Sequence, residues 1–361
     1  MLLVINAGSS SIKLAVFDAG LNELARAQVS EIPAGSHAVA LANGLHEAGV
    51  ALRDLMAVAH RVVHGGATQT AACQVSPSVI AAIEACVPLA PLHNPANLMG
   101  IRAVAALANE LPQYVSFDTA FHATNPDVAT RYAIPQEDAA LGIRRYGFHG
   151  LSYAALVQAL PKLSGTALPK RLLALHLGNG ASLCAILDGQ SVATTMGYSP
   201  LDGLTMGTRA GGIDGNAVLR LAEVHGIAGA ARRLNHESGL LALAGHSDMR
   251  ALGRAGGKDA QFAVDHFCYW AVRHAGSMIA AMGGLDAIVF TGGIGENDPF
   301  VRGKILDGLT WAGVDYDGPA NRQGAACLHE TGSHVAIWTV RAQEERQIAS
   351  EALAQLGMSS E

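Results

Sequence analysis

Apolar residues gather at Leu2–Ile5 and again at Ile12–Phe17, with the small polar run Asn6-Ala-Gly-Ser-Ser-Ser11 between them. Two apolar stretches around a short Gly/Ser/Asn turn predict a β-hairpin. The same arrangement returns at Leu172–Leu177 and Leu183–Leu187, flanking Gly178-Asn-Gly-Ala-Ser182 and followed by a turn signal at Asp188-Gly189. Strand, small loop and strand thus occur near the start of each half, which points to duplicated domains. A third apolar run, Ala287–Phe290, ends in Thr291-Gly-Gly-Ile-Gly-Glu-Asn297 ahead of Pro299 and reads as a strand entering a glycine loop. Between these, residues 79–87, 101–111 and 263–282 carry apolar positions at helical spacing. The class is α/β.

Composition narrows the setting. The chain has 361 residues, half of them hydrophobic and 15% charged. Single cores stop growing at about 250–300 residues, so two globular domains are expected. The net charge is -6 and no Lys/Arg cluster exceeds the pairs Arg144-Arg145 and Arg232-Arg233. That excludes the electrostatic footprint of a nucleic-acid binder. The start Met1-Leu-Leu-Val-Ile-Asn6 lacks the basic opening and long apolar stretch of a signal peptide, and no run has the length of a membrane span. A cytoplasmic protein is expected. Cysteines stand at 73, 86, 184, 268 and 327, with no C-x-x-C spacing. Buried, reduced thiols are expected in place of a disulfide framework or a zinc site.

Loops of small residues let backbone N–H groups and hydroxyls approach phosphate oxygens, and both hairpin loops qualify. Either one alone reads more readily as an ordinary turn. The familiar nucleotide signatures are missing. Gly253-Arg-Ala-Gly-Gly-Lys258-Asp259 lacks the P-loop spacing and its Ser/Thr, and Gly293-Ile-Gly295 lacks the third glycine of a dinucleotide fingerprint. No His-Arg-Asp catalytic loop of a protein kinase is present.

Asn6-Ala-Gly-Ser-Ser-Ser11-Ile-Lys13, His60-Arg-Val-Val-His-Gly-Gly66, Pro91-Leu-His-Asn-Pro95, Phe117-Asp-Thr-Ala-Phe-His122 and Tyr146-Gly-Phe-His-Gly150 resemble the motifs of the acetate kinase family, in family order. His176-Leu-Gly-Asn-Gly180, Asp202-Gly-Leu-Thr-Met-Gly-Thr-Arg209 and Phe290-Thr-Gly-Gly-Ile-Gly-Glu-Asn297 carry the likeness over almost the whole chain. The resemblance implies the fold of acetate kinases, sugar kinases, actin and the large heat-shock ATPases. That fold is α/β, with two duplicated actin-like ATPase (ribonuclease H-like) domains around a nucleotide cleft. It implies an N-terminal acyl and phosphate domain at 1–122 plus 344–361, the C-terminal segment packing on it, and a nucleotide-binding domain at 123–343. A homodimer is implied as well.

The implied reaction is reversible in-line transfer of the γ-phosphoryl group of ATP to acetate, giving acetyl phosphate and ADP. Acceptor, transferring group and leaving group are all anionic, so such a site must supply positive charge. Arg61 and Arg209 match the family's cleft arginines, one for the carboxylate and both for the phosphoryl oxygens. His149 resembles the histidine that donates to the transferring group, and Asp118 resembles the catalytic carboxylate. Mg²⁺, with Mn²⁺ as the alternative, takes oxygen ligands, and the resemblance offers Asp118, Asn6 and Glu344. For the nucleotide it offers Lys13, His176, Asn179, Gly180, Gly292, Gly293, Ile294, Gly295 and Asn297. For the acyl pocket it offers Val63, Leu92, Phe148 and Pro200.

The chain departs from the family at Gly212 and Gly215, where an acidic residue and a proline are common, and at Ala342-Gln343, where Thr and Asn or Asp are usual. It is also shorter between Asp18 and His60. A propionate or butyrate kinase fits the same motifs, since one methylene changes binding by only about 1–3 kcal/mol. An ATP-switched chaperone or filament protein shares the fold but needs neither arginine nor an acyl pocket. The expected partners are ATP and a short acid, with neither nucleic acid nor membrane.

Overall fold

The computed structural model describes residues 1–8, 10–33 and 35–358. Ser9 of the first small-residue run and residues 359–361 of the C-terminal segment lie outside the described residues. Two compact units are present. One comprises Met1–Ala123, Phe148–Ala155 and Gln343–Glu361, the other Thr124–Gly147 and Leu156–Ala342. The stretch Phe148–Ala155 therefore groups with the first unit, inside the span that the sequence assigns to the nucleotide domain.

The first unit holds a six-stranded sheet of β1 (Leu2–Ala7), β2 (Ser11–Phe17), β3 (Glu23–Ser30), β4 (Ala57–Val62), β5 (Cys73–Gln74) and β6 (Gln113–Phe117), in the order β3-β2-β1-β4-β6-β5. The meander β1-β2-β3 is antiparallel, while β4 and β6 join it in parallel. Side chains alternate across a strand, so this central sheet needs apolar residues on both faces. Leu3, Ile5, Leu14 and Val16 form one core with Leu41 and Leu45 of the helix His37–Glu47. Leu2, Val4, Ala15 and Phe17 form the other with Ile348, Ala349 and Leu353 of the helix Glu344–Gln355.

The second unit repeats the pattern. β7 (Arg171–Leu177), β8 (Ala181–Leu187) and β9 (Gln190–Thr194) form an antiparallel meander, and β10 (Ala287–Thr291) and β11 (Ala336–Thr339) add in parallel, in the order β11-β10-β7-β8-β9. Even the register shift between the second and third strands recurs, at Val16/Phe17 and at Ala185/Ile186. The β8–β9 turn has φ 50° at Asp188 and 80° at Gly189, the left-handed pair that matches the twist of a two-residue hairpin. The long helix Gly257–Met282 buries Ala260, Val264, Phe267, Ala271, Ala275 and Met278 at helical spacing, and packs on β8.

Three expectations change. Gly292–Asn297 is a short helix at the end of β10, not an open loop. The helix predicted at 101–111 begins earlier, at Asn94, and ends at Leu107. Among the cysteines, all free, Cys327 is exposed and Cys73 only half-buried.

Candidate functional site

In the first unit the carboxyl ends of three neighbouring parallel strands carry the polar groups. Open α/β sheets place ligands at such ends. β1 supplies Asn6, β4 supplies Arg61, and Asp118 follows β6 directly, with Arg61 in register with Ser116. Arg61 grips Asp118 with both arms of its fork, Nε donating to Oδ1 at 3.0 Å and Nη2 to Oδ2 at 2.6 Å. Its Nη1 reaches Asn6 Oδ1 at a long 3.4 Å. Burial alone would weaken the guanidinium's hold on its proton, but Asp118, Glu344 and Glu345 outweigh it and push the Arg61 pKa up. Burial pushes the Asp118 carboxyl up, opposed by Arg61's charge and hydrogen bonds, with Glu344 raising it and His93 lowering it. Because Arg61 stays protonated and both fork bonds are made, the pair is an ion pair.

The chain around this pair is held tightly. Gly150 N–H donates to the Asp118 carbonyl at 2.8 Å, and a Cβ on Gly150 would collide with that oxygen, so only glycine lets the helix Gly150–Ser164 start there. The preceding residue, His149, has φ 60°. A left-handed non-glycine residue immediately before a helix is strained backbone of the kind that gathers at functional sites. His122 lies below it, its Nε2 2.9 Å from the Phe148 carbonyl. Burial lowers the His122 pKa to about 4, only partly offset by that bond, so a neutral Nε2–H donates.

Two buried asparagines from the helix Asn94–Leu107 fix the end of β4. Asn97 accepts from Val63 N–H and donates to the Ala7 carbonyl, while Asn94 accepts from His64 N–H and donates to its carbonyl. Val63 and Phe148 are buried, and the Phe148 ring meets His64 edge-on with centroids 5.5 Å apart. Leu92, named for the same pocket, is 48% exposed. Lys13 sits on β2 opposite Asn6, and Glu344 opens the helix Glu344–Gln355.

The second unit presents small-residue turns beside a few charged side chains. A cavity of about 580 Å³ is lined by Gly178 and Asn179 from the β7–β8 turn, by Gly293, Ile294 and Asn297 from the short helix after β10, and by Asp298 and Ser247–Arg250. Of the residues expected to hold nucleotide, the cavity brings together Asn179, Gly293, Ile294 and Asn297. Lys13, in the first unit, and His176, Gly180, Gly292 and Gly295 are not among its lining residues. Gly292 has φ 79°, and a Cβ there would sit 2.7 Å from the Leu177 carbonyl, so that position accepts only glycine. Gly207 passes Asn179 so closely that a Cβ would overlap its Oδ1. Arg209 is bound through Nη1 to the Pro200 carbonyl at 2.6 Å, and burial lowers its pKa. No carboxylate pairs with it among the described residues, which leaves its charge available to an anion. Gly212 and Gly215 are exposed and do not line the cavity.

Sequence reasoning missed Asp248–Arg250, where Asp248 caps the helix Met249–Ala255 and pairs with Arg250 at 3.0 Å. It also missed Arg302, wholly buried and spent on the carbonyls of Gly295, Glu296 and Asn321 and on the Asn321 side chain. A Ser-Asp helix start was the available signal for the first. Nothing local marks the second.

Comparison with known proteins places these observations. The model of the acetokinase family matches residues 21–350. An acetate kinase of Rhodopseudomonas palustris is 42% identical over a 386-residue alignment, which covers 97% of this chain and 96% of that protein. The crystal structure of Porphyromonas gingivalis acetate kinase superposes with a TM-score of 0.91 at 34% identity, covering 98% of this chain and 99% of that one. A propionate kinase from Francisella tularensis gives a TM-score of 0.91 at 35% identity, covering 97% and 98%.

Proposed function

We propose, for a chain that belongs to the acetate kinase family and is a phosphotransferase with a carboxylate acceptor, the following division of labour in moving the γ-phosphoryl group of ATP to acetate. Arg61 receives the acetate carboxylate and, with Arg209, neutralises the equatorial phosphoryl oxygens. His149 donates to the same group. Asn179, Gly293, Ile294 and Asn297 hold the nucleotide. The observation that carries this reading is the Arg61–Asp118 pair at the strand ends, with Arg61 Nη1 held only by a long contact and so the donor left for an incoming anion.

Acetate is ionised at neutral pH, like side-chain carboxyls of pKa near 4, so no base is needed to deprotonate it. Asp118 therefore serves to fix Arg61 and to orient a metal. Asn6, Asp118 and Glu344 form an oxygen-only set of two carboxylates and an amide, which suits Mg²⁺ bound also by phosphates and water, Mn²⁺ being the alternative. Arg61 occupies both Asp118 oxygens, which favours contact through water. When bound, the ion would offset charge on the transferring phosphates.

Acetate is preferred to propionate because curated relatives at 41–42% identity are acetate kinases, although a propionate kinase is among the solved relatives. A homodimer is proposed from Leu219, Val224 and Ile227 on the helical segment Gly215–His236, which breaks at Gly226, and from Phe262 and Tyr269, all exposed. The free cysteines fit a reducing cytoplasm. ADP release from Mg-ATP tests the reading. It should rise with added acetate, whereas release indifferent to short acids would contradict it.

A further inference from the structure

Glu296 belongs to the motif after β10 but is not among the residues that line the cavity. One of its oxygens, Oε1, accepts from two backbone amides: Gly292 N–H at 3.0 Å and Ala342 N–H at 2.9 Å. The first donor opens the short helix Gly292–Asn297, three members of which, Gly293, Ile294 and Asn297, line the cavity. The second lies at the end of the segment after β11, where Val340 N–H also donates to the Phe290 carbonyl at 2.9 Å. The chain leaves the second unit at Ala342 and enters the first at Gln343. Glu344, the next residue, starts its helix and acts electrostatically on both Arg61 and Asp118.

We propose that Glu296 is a positioning residue that ties the nucleotide-facing helix to the segment carrying Glu344. A carboxylate oxygen has two lone-pair directions, so one atom can hold both amides, and losing it leaves two N–H groups without that partner. Arg302 clamps the far end of the same helix through the Gly295 and Glu296 carbonyls. The helix is thus rigid at one end and tied through Glu296 at the other. A nucleotide pressing on Gly293 and Ile294 would be transmitted to Ala342 through this carboxylate. The tie uses the main-chain N–H of Ala342, so it does not depend on the side chain there.

The proposal rests on the reading of Glu344 as a metal-orienting residue, and the test separates the two. Hydrogen exchange of a peptide spanning 340–344 is followed in full-length wild type, Glu296→Ala and Glu296→Gln, with and without Mg-ADP. The Mg²⁺ requirement of each is measured beside that of Glu344→Gln. Wild type should show slow exchange that slows further with Mg-ADP. Glu296→Ala should exchange about tenfold faster, the scale of one lost hydrogen bond, and lose the response to nucleotide. It should also need about tenfold more Mg²⁺. Glu296→Gln keeps an acceptor oxygen and should restore most of both. Wild-type exchange in Glu296→Ala, or a Gln variant as defective as Ala, would overturn the tie. If the exchange result holds but Glu344→Gln leaves the Mg²⁺ requirement unchanged, the tie stands and the metal reading of Glu344 falls.

Discussion

The two units share a sheet topology yet end their central strands differently. In the first unit the strand ends carry Asn6, Arg61 and Asp118, an array of charge and amide held by the buried asparagines Asn94 and Asn97. In the second, the corresponding strands β7 and β10 run into Gly178-Asn179 and Gly292-Gly293, where small residues line the cavity. One scaffold thus presents two kinds of strand end. Guanidinium and carboxylate suit a small anion that must be held in one orientation. Bare backbone suits a large ligand with phosphates and a flat base, which needs close approach more than strong charge.

If the comparison is right, removing a charge should damage turnover, and adding a methyl group to the glycine end should damage nucleotide binding. The largest effect is expected from Arg209, a buried charge in the second unit. Arg209→Ala should lower kcat by about 10³-fold, the scale of a lost transition-state arginine, and lysine should rescue little because it lacks the planar fork. Near-normal steady-state kcat in the folded alanine variant would remove Arg209 from the proposed machinery.

Acid should strike the first unit through His60 and His122. Burial lowers both pKa values from 6.5 to about 4, partly opposed by the bonds to Gln113 and the Phe148 carbonyl. The folded chain keeps them neutral, so the unfolded chain binds more protons between those values. Their stabilising effect is complete above pH about 6.5 and lost as pH falls through about 4, by up to about 3 kcal/mol for each. Urea unfolding across that window should show the loss, and His60→Gln should flatten the slope.

A smaller effect is expected at the glycine end. Gly292→Ala forces a left-handed alanine against the Leu177 carbonyl and should raise the KM for ATP about tenfold, costing on the order of 1–3 kcal/mol of strain. The KM for acetate should move much less, and equal changes in both would erase the contrast between the units. Comparable in size is Val63→Ala. If Val63 bounds the acyl pocket, the ratio of kcat/KM for propionate over acetate should rise by about 1–3 kcal/mol, and an unchanged ratio would put Val63 outside it.

The sequence carried much of this organisation. Both hairpins, the strand before Asp118 and the strand before Gly292 follow from short apolar runs bounded by small residues, a local signal. The helical state of Gly292–Asn297 was hidden because three of its six residues are glycine, and it depends on Glu296 and Arg302 bonding its two ends. Arg302 looks like any surface arginine until its partners from Asn321 are in place. Asn94 and Asn97 are three residues apart on one helical face, but their partners are backbone groups of Ala7, Val63 and His64, distant in sequence. Leu92 shows the opposite case: an apolar residue in a matching motif whose side chain is half exposed.

Acyl phosphate trapping by hydroxylamine tests the central claim most directly. Purified protein is incubated with Mg-ATP and, separately, formate, acetate, propionate or butyrate. Hydroxamate should form with acetate at the highest kcat/KM, fall as the chain lengthens, and vanish in Arg61→Ala. ATP consumption without hydroxamate from any of the four acids would contradict the account.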